Sequence, residues 1–413
     1  MIVNSKILVP DIDQLPTPEN SRAVELGIEK LLKVAKIDPD ASMFEFVKVC
    51  IADSTLNRLL AFLFSNSPFL THSITENPQF TRLLIEKGTK AALEKIYNDL
   101  AWDNSGNLSE KNLMRLLRQS KCQFSLGLAV ADVLENWSVA EVTNSLSNFA
   151  ENVLRLAINA LLISADKRGE INLPFPKSPE KETGLIVLAM GKLGAKELNY
   201  SSDIDLIILF DQEKTNYTGK KTIQEFFVNL AKNLIKIIEE RTIDGYVFRT
   251  DLRLRPDPRS TPLAISTFAA ETYYETTGQN WERAAMIKAR PVAGDLKAGG
   301  KFLETLRPFI WRRSLDFEAI EDIHSIKRQV NKNHGDKKIS IPGHNIKLGR
   351  GGIREIEFFA QTQQLIWGGR DLTLRTPRTC ETLHKLAEAG HITKQCAIEL
   401  ENAYLFLRRT EHR

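Results

Sequence analysis

TGLIVLAMGKLGAKELNYSSDIDLIILFD, residues Thr183 to Asp211, decides how the chain is read. Leu185-Ile186-Val187-Leu188-Ala189-Met190 is an apolar run short enough for a buried strand. Gly191-Lys192-Leu193-Gly194 interrupts it, and Ala195 to Leu198 can make one helical turn. A second strand is expected from Asp203 through Phe210. Side chains alternate along a strand, so Asp203 and Asp205 point to one face, with Cα atoms roughly 6–7 Å apart. Ile204, Leu206 and Ile208 point to the other. Two carboxylates opening an apolar strand repel each other and are costly if left unpaired. A divalent cation between them removes both costs, and hard oxygen donors in this arrangement suit Mg²⁺. Solvated acids at a strand end would be the plainer account of an isolated D-x-D. Here the pair follows a glycine loop, a lysine and Ser201-Ser202, and a third acid stands downstream.

That third acid lies in Tyr246 to Arg255, expected as a third strand after the Asp244-Gly245 turn. Alternation puts Arg249, Asp251, Arg253 and Arg255 on its polar face. Such a face is either a salt-bridge ladder or one where Asp251 completes a three-carboxylate metal site and the arginines face phosphate. The D-x-D upstream favours the second. Trp281 to Arg290 is read as a helix carrying Arg283 and Lys288, either toward a phosphoryl group or on a solvated basic face; the sequence does not choose. Gly349-Arg350-Gly351-Gly352 precedes another helix and leaves backbone N–H groups free for an anion. Arg350 and Arg354 favour anion recognition there over a tight docking turn.

Around this centre the chain is helical in period. Residues 1 to about 20, with Pro10, Pro16 and Pro18, read as an extended lead-in. Ala23, Leu26, Ile28, Leu31, Leu32 and Val34 form one apolar stripe; Leu56, Leu59, Leu60, Phe62 and Leu63 form the next. The period weakens between Trp137 and Asn148 and resumes from Val153 to Ile163. Ile223 to Ile238 is a clean amphipathic helix, and Asn333 to Ile346 reads as a polar loop. The expected division is a helical domain over 1–166, a catalytic domain over 167–292 and a second helical domain over 293–413. The fold class is α+β, a small mixed sheet between helical bundles.

Composition excludes several function classes. The net charge of +4 over 413 residues is too small and dispersed to argue for nucleic acid. No stretch approaches the length of a membrane span and no signal peptide is evident, so a soluble, cytoplasmic protein without a membrane partner is expected. Cys50, Cys122, Cys380 and Cys396 have neither C-x-x-C nor zinc-finger spacing and read as reduced thiols.

G-K-L-G-x-x-E-L-N-Y-S-S-D-I-D-L resembles the nucleotidyltransferase signature of the glutamine synthetase adenylyltransferase/adenylyl-removing enzyme family. The resemblance continues through Asp251 to Pro256 and Gly349 to Phe358, covering roughly 180 to 370. It implies a nucleotidyltransferase fold and two divalent ions, with Asp203, Asp205 and Asp251 as ligands. It also implies that Gly191, Lys192 and Ser202 approach the phosphates. Glu197-Leu198-Asn199-Tyr200-Ser201-Ser202-Asp203-Ile204-Asp205 and Gly351 to Glu357 look like the family's N-terminal, adenylyl-removing half. The implied reaction is phosphorolysis of AMP from a tyrosine of adenylylated glutamine synthetase, with phosphate consumed, ADP released and the PII signalling protein as a regulator. An AMP-attaching enzyme using ATP, a nucleotidyltransferase for another protein or for RNA, and a regulatory module without turnover remain open. The last helix stops in full periodic stride, and the resemblance implies a longer full-length protein with a second related half.

Overall fold

Helix starts in the first part of the chain are set by capping side chains. The structure is a computed structural model describing residues 15, 17–101, 108–313 and 343–412. Most of the expected lead-in and of the Asn333–Ile346 loop lies outside these residues. The chain forms two compact units, Met1–Val142 and Thr143–Arg413. The first holds α1 (Ser21–Ile37), α2 (Ser42–Ala52), α3 (Ser54–Asn66), α4 (Pro68–Glu76), α5 (Pro78–Asp99) and α6 (Glu110–Val133). Asn20, Asp53, Ser67 and Ser109 cap the first turns of α1, α3, α4 and α6 with side-chain oxygens. Pro68 and Pro78 open α4 and α5, where a missing N–H is harmless. The buried line of α1 is Gly27, Leu31 and Ala35, while Leu26 is exposed. The expected stripe is thus rotated. Phe64 of α3 lies so close that a Cβ at Gly27 would sit 2.6 Å from its ring. The α3 stripe of Leu56, Leu59, Leu60, Phe62 and Leu63 is buried throughout.

The second unit begins within α7 (Val139–Lys167). The apolar period weakened there because Thr143 and Ser147 are buried among Val142 and Leu146. Ser147 donates its hydroxyl proton to the Thr143 carbonyl (2.8 Å) and accepts the Leu198 N–H (3.2 Å). A buried hydroxyl with both partners is tolerated in a core.

The sheet consists of β1 (Leu185–Ala189), β2 (Ile204–Phe210), β3 (Thr250–Asp251), β4 (Ala264–Ser266) and β5 (Arg290–Gly294). Its order is β3-β2-β1-β5, with β4 also pairing β2. β1 runs antiparallel to β2 and β5, whereas β3 and β4 run parallel to β2, so the sheet is mixed. Ile186, Leu188, Ile207 and Leu209 share a core with Tyr274, Phe302 and Phe309. These come from α10 (Thr267–Thr276), α12 (Leu296–Thr305) and α13 (Arg307–Ile310), with α11 (Asn280–Met286) beside them. α9 (Ile223–Glu239) starts in a Thr222/Glu225 capping box and buries Phe226, Phe227, Leu230 and Leu234. Phe227 stacks on Phe210 of β2 with centroids 4.5 Å apart. α14 (Ile353–Trp367), α15 (Thr379–Glu388) and α16 (Lys394–His412) close on Ile356, Ala360, Leu383, Ala397 and Tyr404. Among the described residues no helix is long and apolar enough to cross a membrane.

Two local expectations need correction. The helical turn after β1 is Gly191–Gly194 (α8), not Ala195–Leu198, because Lys196 adopts a left-handed φ of 60° that ends it. The third strand is only Thr250–Asp251. Val247 and Phe248 spend their N–H groups on the Ile238 carbonyl at the end of α9. Beyond Asp251 its own carboxylate takes the Arg253 N–H, an Asx turn that bends the chain away.

Phe227→Ala would leave a cavity against Phe210. We expect it to lower unfolding stability by about 3–5 kcal/mol, read as a shifted urea midpoint. An unchanged midpoint would show that this stack does not hold α9 to the sheet.

Candidate active site

The parallel register of β2 and β3 sets Asp205 opposite Asp251, and paired residues point to the same face. Asp203, one step before β2, shares the parity of Asp205. The three acids named from sequence therefore gather at one end of the sheet. The Gly191 turn closes over them: its φ is +52°, and a Cβ there would stand 2.8 Å from Asp205 Oδ2. Only glycine combines that conformation with that approach.

The three carboxylates are not equivalent. Among the described residues the Asp205 carboxylate has neither a hydrogen-bond partner nor an ion pair. Burial first, then the charges of Asp251 and Asp203, pushes it up to about 6. Asp251 takes the Arg253 guanidinium, with Nη2 2.6 Å from Oδ2, and this hydrogen bonding holds its carboxyl below the ordinary range. Asp203 Oδ1 takes Arg249 Nε at 2.5 Å, while Arg249 Nη2 donates to the Ser201 carbonyl. Among the described residues no three His, Cys, Asp or Glu are already drawn together as a formed metal cluster. Two of the acids are instead engaged by arginines. The donor set nevertheless suits a hard divalent cation: three carboxylates at one sheet end, one of them half-buried and unpartnered among the described residues.

The other expected site residues divide. Gly191 and Ser202 lie in the loop that leads to these acids, the Ser202 N–H donating to the Asn199 carbonyl. Arg253 is beside Asp251, but through the turn rather than a shared strand face. Arg255 does not share that face, since the strand has ended. Its guanidinium donates to the carbonyls of Leu252, Pro258 and Thr261 and ties up its own loop. Arg350 and Arg354 are exposed near the start of α14. The Gly351 N–H already binds the Glu355 carboxylate at 2.8 Å, so part of the expected anion cradle is filled from within. Sequence reasoning passed over Lys347, in the same glycine segment, whose charge reaches Asp205 and opposes its upward shift.

Arg283 and Lys288 fit neither expectation, because both are buried. Arg283 Nε donates to the Phe309 carbonyl (3.0 Å) and Nη1 to Asn280 Oδ1 (2.9 Å). Lys288 belongs to an ionic network beneath the Gly191 turn. Its Nζ lies 3.4 Å from Glu197 and 3.5 Å from Glu357. Lys192, expected at phosphate, lies 3.1 Å from Glu357. Tyr404 donates its hydroxyl proton to Glu357, and Thr379 gives Glu197 both its N–H and its hydroxyl proton. Arg408 donates to the Glu197 carbonyl and to the Tyr404 oxygen. Burial disfavours the Glu357 carboxylate, but Lys288 and Lys192 outweigh it and hold the group well below the usual carboxylate range. Glu197 and Glu357 are acids set among apolar residues inside the two longest motifs, the one sequence signal that marked them. Gly194 presses against this region too: a Cβ there would overlap the Lys288 carbonyl. Arg290 donates to the carbonyls of Leu193 and Gly194, and Lys196 to Asn148.

Comparison with known proteins places this geometry in context. Residues 57–305 match the family model of glutamate-ammonia ligase adenylyltransferase, and residues 324–413 match that of GlnD PII-uridylyltransferase. A bifunctional glutamine synthetase adenylyltransferase/adenylyl-removing enzyme of Rhizobium meliloti is 47% identical over 408 residues, 98% of this chain and 41% of the relative. The enzyme of that name from Brucella suis is 49% identical over 348 residues, 84% of this chain and 35% of the relative. The one from Agrobacterium fabrum is 48% identical over 365 residues, 87% and 37%. The chain thus spans about two fifths or less of the length of these relatives.

Two outcomes are expected. Asp205 carries a raised pKa, so its ionised form weakens the fold; that penalty is absent below about pH 4 and complete above about pH 6. Without metal, Asp205→Asn should raise stability on the order of 1–3 kcal/mol at pH 8, with the gain vanishing toward pH 4. Thermal melts at both pH values check the sign. Glu357→Ala leaves part-buried Lys192 without its carboxylate and Lys288 with Glu197 alone, and should cost about 3–5 kcal/mol; an unaltered urea midpoint would mean the network does not support the turn.

Proposed function

Because this chain belongs to the glutamate-ammonia ligase adenylyltransferase family, we propose that it carries the adenylyl-removing activity of its bifunctional relatives. The substrate is glutamine synthetase adenylylated on a tyrosine. A phosphate oxygen attacks the phosphorus of the AMP group, the bond from that phosphorus to the tyrosine oxygen breaks, and ADP leaves. The proton of the hydrogen phosphate passes to the tyrosine oxygen, restoring the free side chain. Phosphoryl-type transfer of this kind depends on positioning and charge neutralisation more than on covalent help from the protein.

The observation that carries this reading is the convergence of Asp203, Asp205 and Asp251 under the Gly191 turn, with Asp205 half-buried and unpartnered among the described residues. These carboxylates would hold Mg²⁺, one or two ions, which when bound neutralise phosphate oxygens and hold attacking and leaving oxygens in line. Arg253 and Arg249 are already at the acids and present planar forks that match phosphate. Their transfer from carboxylate to phosphate keeps each guanidinium paired. Exposed Lys347 supplies further positive charge that reaches Asp205, and exposed Arg350 and Arg354 follow it in the same glycine-rich segment. The direction of reaction rests on the motifs Glu197–Asp205 and Gly351–Glu357, which resemble the adenylyl-removing half. A PII signalling protein as regulator is suggested by the match of residues 324–413 to a family named for PII. A cytoplasmic setting goes with such partners.

The AMP-attaching reading uses the same site with the tyrosine oxygen as nucleophile on ATP and pyrophosphate as leaving group, and is favoured by the name of the matching family. One assay separates them. Adenylylated glutamine synthetase, phosphate and Mg²⁺ should yield ADP in amounts that depend on phosphate. Principal transfer of AMP from ATP onto unmodified synthetase would reverse the assignment. Asp203→Asn and Asp205→Asn should each reduce the rate by far more than tenfold, the equivalent of about 1.4 kcal/mol in barrier. A variant keeping more than a tenth of the rate would remove that residue from the site. Arg253→Lys should weaken phosphate use, seen as a raised KM, while Mg²⁺ binding measured by calorimetry survives.

A further inference from the structure

Away from the carboxylates, β5, α11, α12, α13 and the 3₁₀ turn Leu372–Leu374 enclose a cavity of about 560 Å³. That volume lies within the range of small-molecule sites. Its lining contains three guanidinium groups, those of Arg290, Arg307 and Arg375, and a single carboxylate, Glu304. Glu151 offsets Arg290, and only a loose surface pair with Glu304 offsets Arg307, so the excess positive charge lies with Arg375 and Arg307. Burial first, and then the charges of Arg307 and Arg313, depress the Arg375 guanidinium below its ordinary value. Like charges gathered around an open space oppose folding and are tolerated where a ligand supplies the missing charge.

The commitments of each arginine show which are open to a ligand. Arg290 is mostly engaged: Nη2 binds Glu151 and the Leu193 carbonyl, and Nε binds the Gly194 carbonyl. Arg375 spends Nε on the Gly368 carbonyl at 2.7 Å and lies 5.3 Å over the Trp311 ring, which fixes its plane. Its two terminal nitrogens take no hydrogen bond among the described residues. Arg307 meets Glu304 at 3.7 Å on an exposed edge, a weak surface pair. Two forks thus remain for a guest, one held rigid by a backbone carbonyl and an aromatic ring.

We propose that this cavity is a binding site for a small phosphate-bearing dianion, held by Arg375 and Arg307 and separate from the three-carboxylate site. A guanidinium fork matches phosphate oxygens in pairs, and two forks balance a dianion. The wall shared with Arg290 brings the site next to the residue that holds the end of the Gly191 turn.

Methyl phosphate, a dianion at about pH 8, is the probe, titrated calorimetrically at that pH into metal-free protein, where the three carboxylates repel it. We expect saturable binding of one equivalent, weakened at least tenfold in Arg307→Ala/Arg375→Ala. Gly300 lines the same cavity and has open space where a Cβ would stand, so Gly300→Leu projects a bulky side chain into the cavity with no clash at its Cβ. It should abolish binding while leaving the melting temperature equal or higher, since leucine is the better helix former. Absence of saturable binding by the parent protein overturns the proposal, as does binding that survives Gly300→Leu. Succinate, also a dianion, is the control for charge alone: at least tenfold weaker binding than methyl phosphate supports the phosphate assignment, and equal binding overturns it.

Discussion

The ion network centred on Glu357 is the interaction on which the arrangement of this active site depends. It places Lys192 of the Gly191 turn, Lys288 before β5, and Tyr404 and Arg408 of α16 around one largely buried carboxylate. Glu197 closes the set through Lys288, Thr379 and Arg408. Charges taken out of water are tolerated only when every partner is present. Opposite charges gathered in low dielectric also fix geometry more sharply than apolar packing, which accepts many arrangements of similar volume. The turn carrying Gly191 is thereby held in place by helices that follow it by more than 150 residues, as the 165-residue separation of Lys192 and Glu357 shows.

What the network positions is a site built on opposed charge. Asp205 is half-buried beside two further acids and beneath a glycine whose Cβ would intrude on it. Such a carboxylate destabilises the fold unless a cation reaches it, so stability is given up where binding is wanted. Arg249 and Arg253 limit that loss by engaging Asp203 and Asp251. Both arginines are on or next to β3, so the partners that hold the acids in check are also those nearest an incoming phosphate. Arg255, two residues on, is committed to three carbonyls and keeps the following loop in shape instead.

Much of this was legible in the sequence, because the relevant rules are local. Alternation along β2 put Asp203 and Asp205 on one face, and the glycines at 191 and 194 marked a turn that no larger residue would fit. The apolar stripes of α3 and α9 placed helices without reference to anything distant. Membership of the family was legible for the same reason: its motifs are contiguous runs.

Tertiary structure decided the rest. Whether Tyr246 to Arg255 is a strand depends on who accepts its N–H groups, and the end of α9 and the Asp251 carboxylate took them. Whether Lys192 faces phosphate or a buried acid depends on a glutamate far along the chain, and whether Lys288 is solvated depends on two of them. Periodicity identifies which side of an element is apolar. It does not say which charged residue from elsewhere will be brought against the polar side, because that choice belongs to packing between elements, where a partner's distance in sequence carries no information about its distance in space.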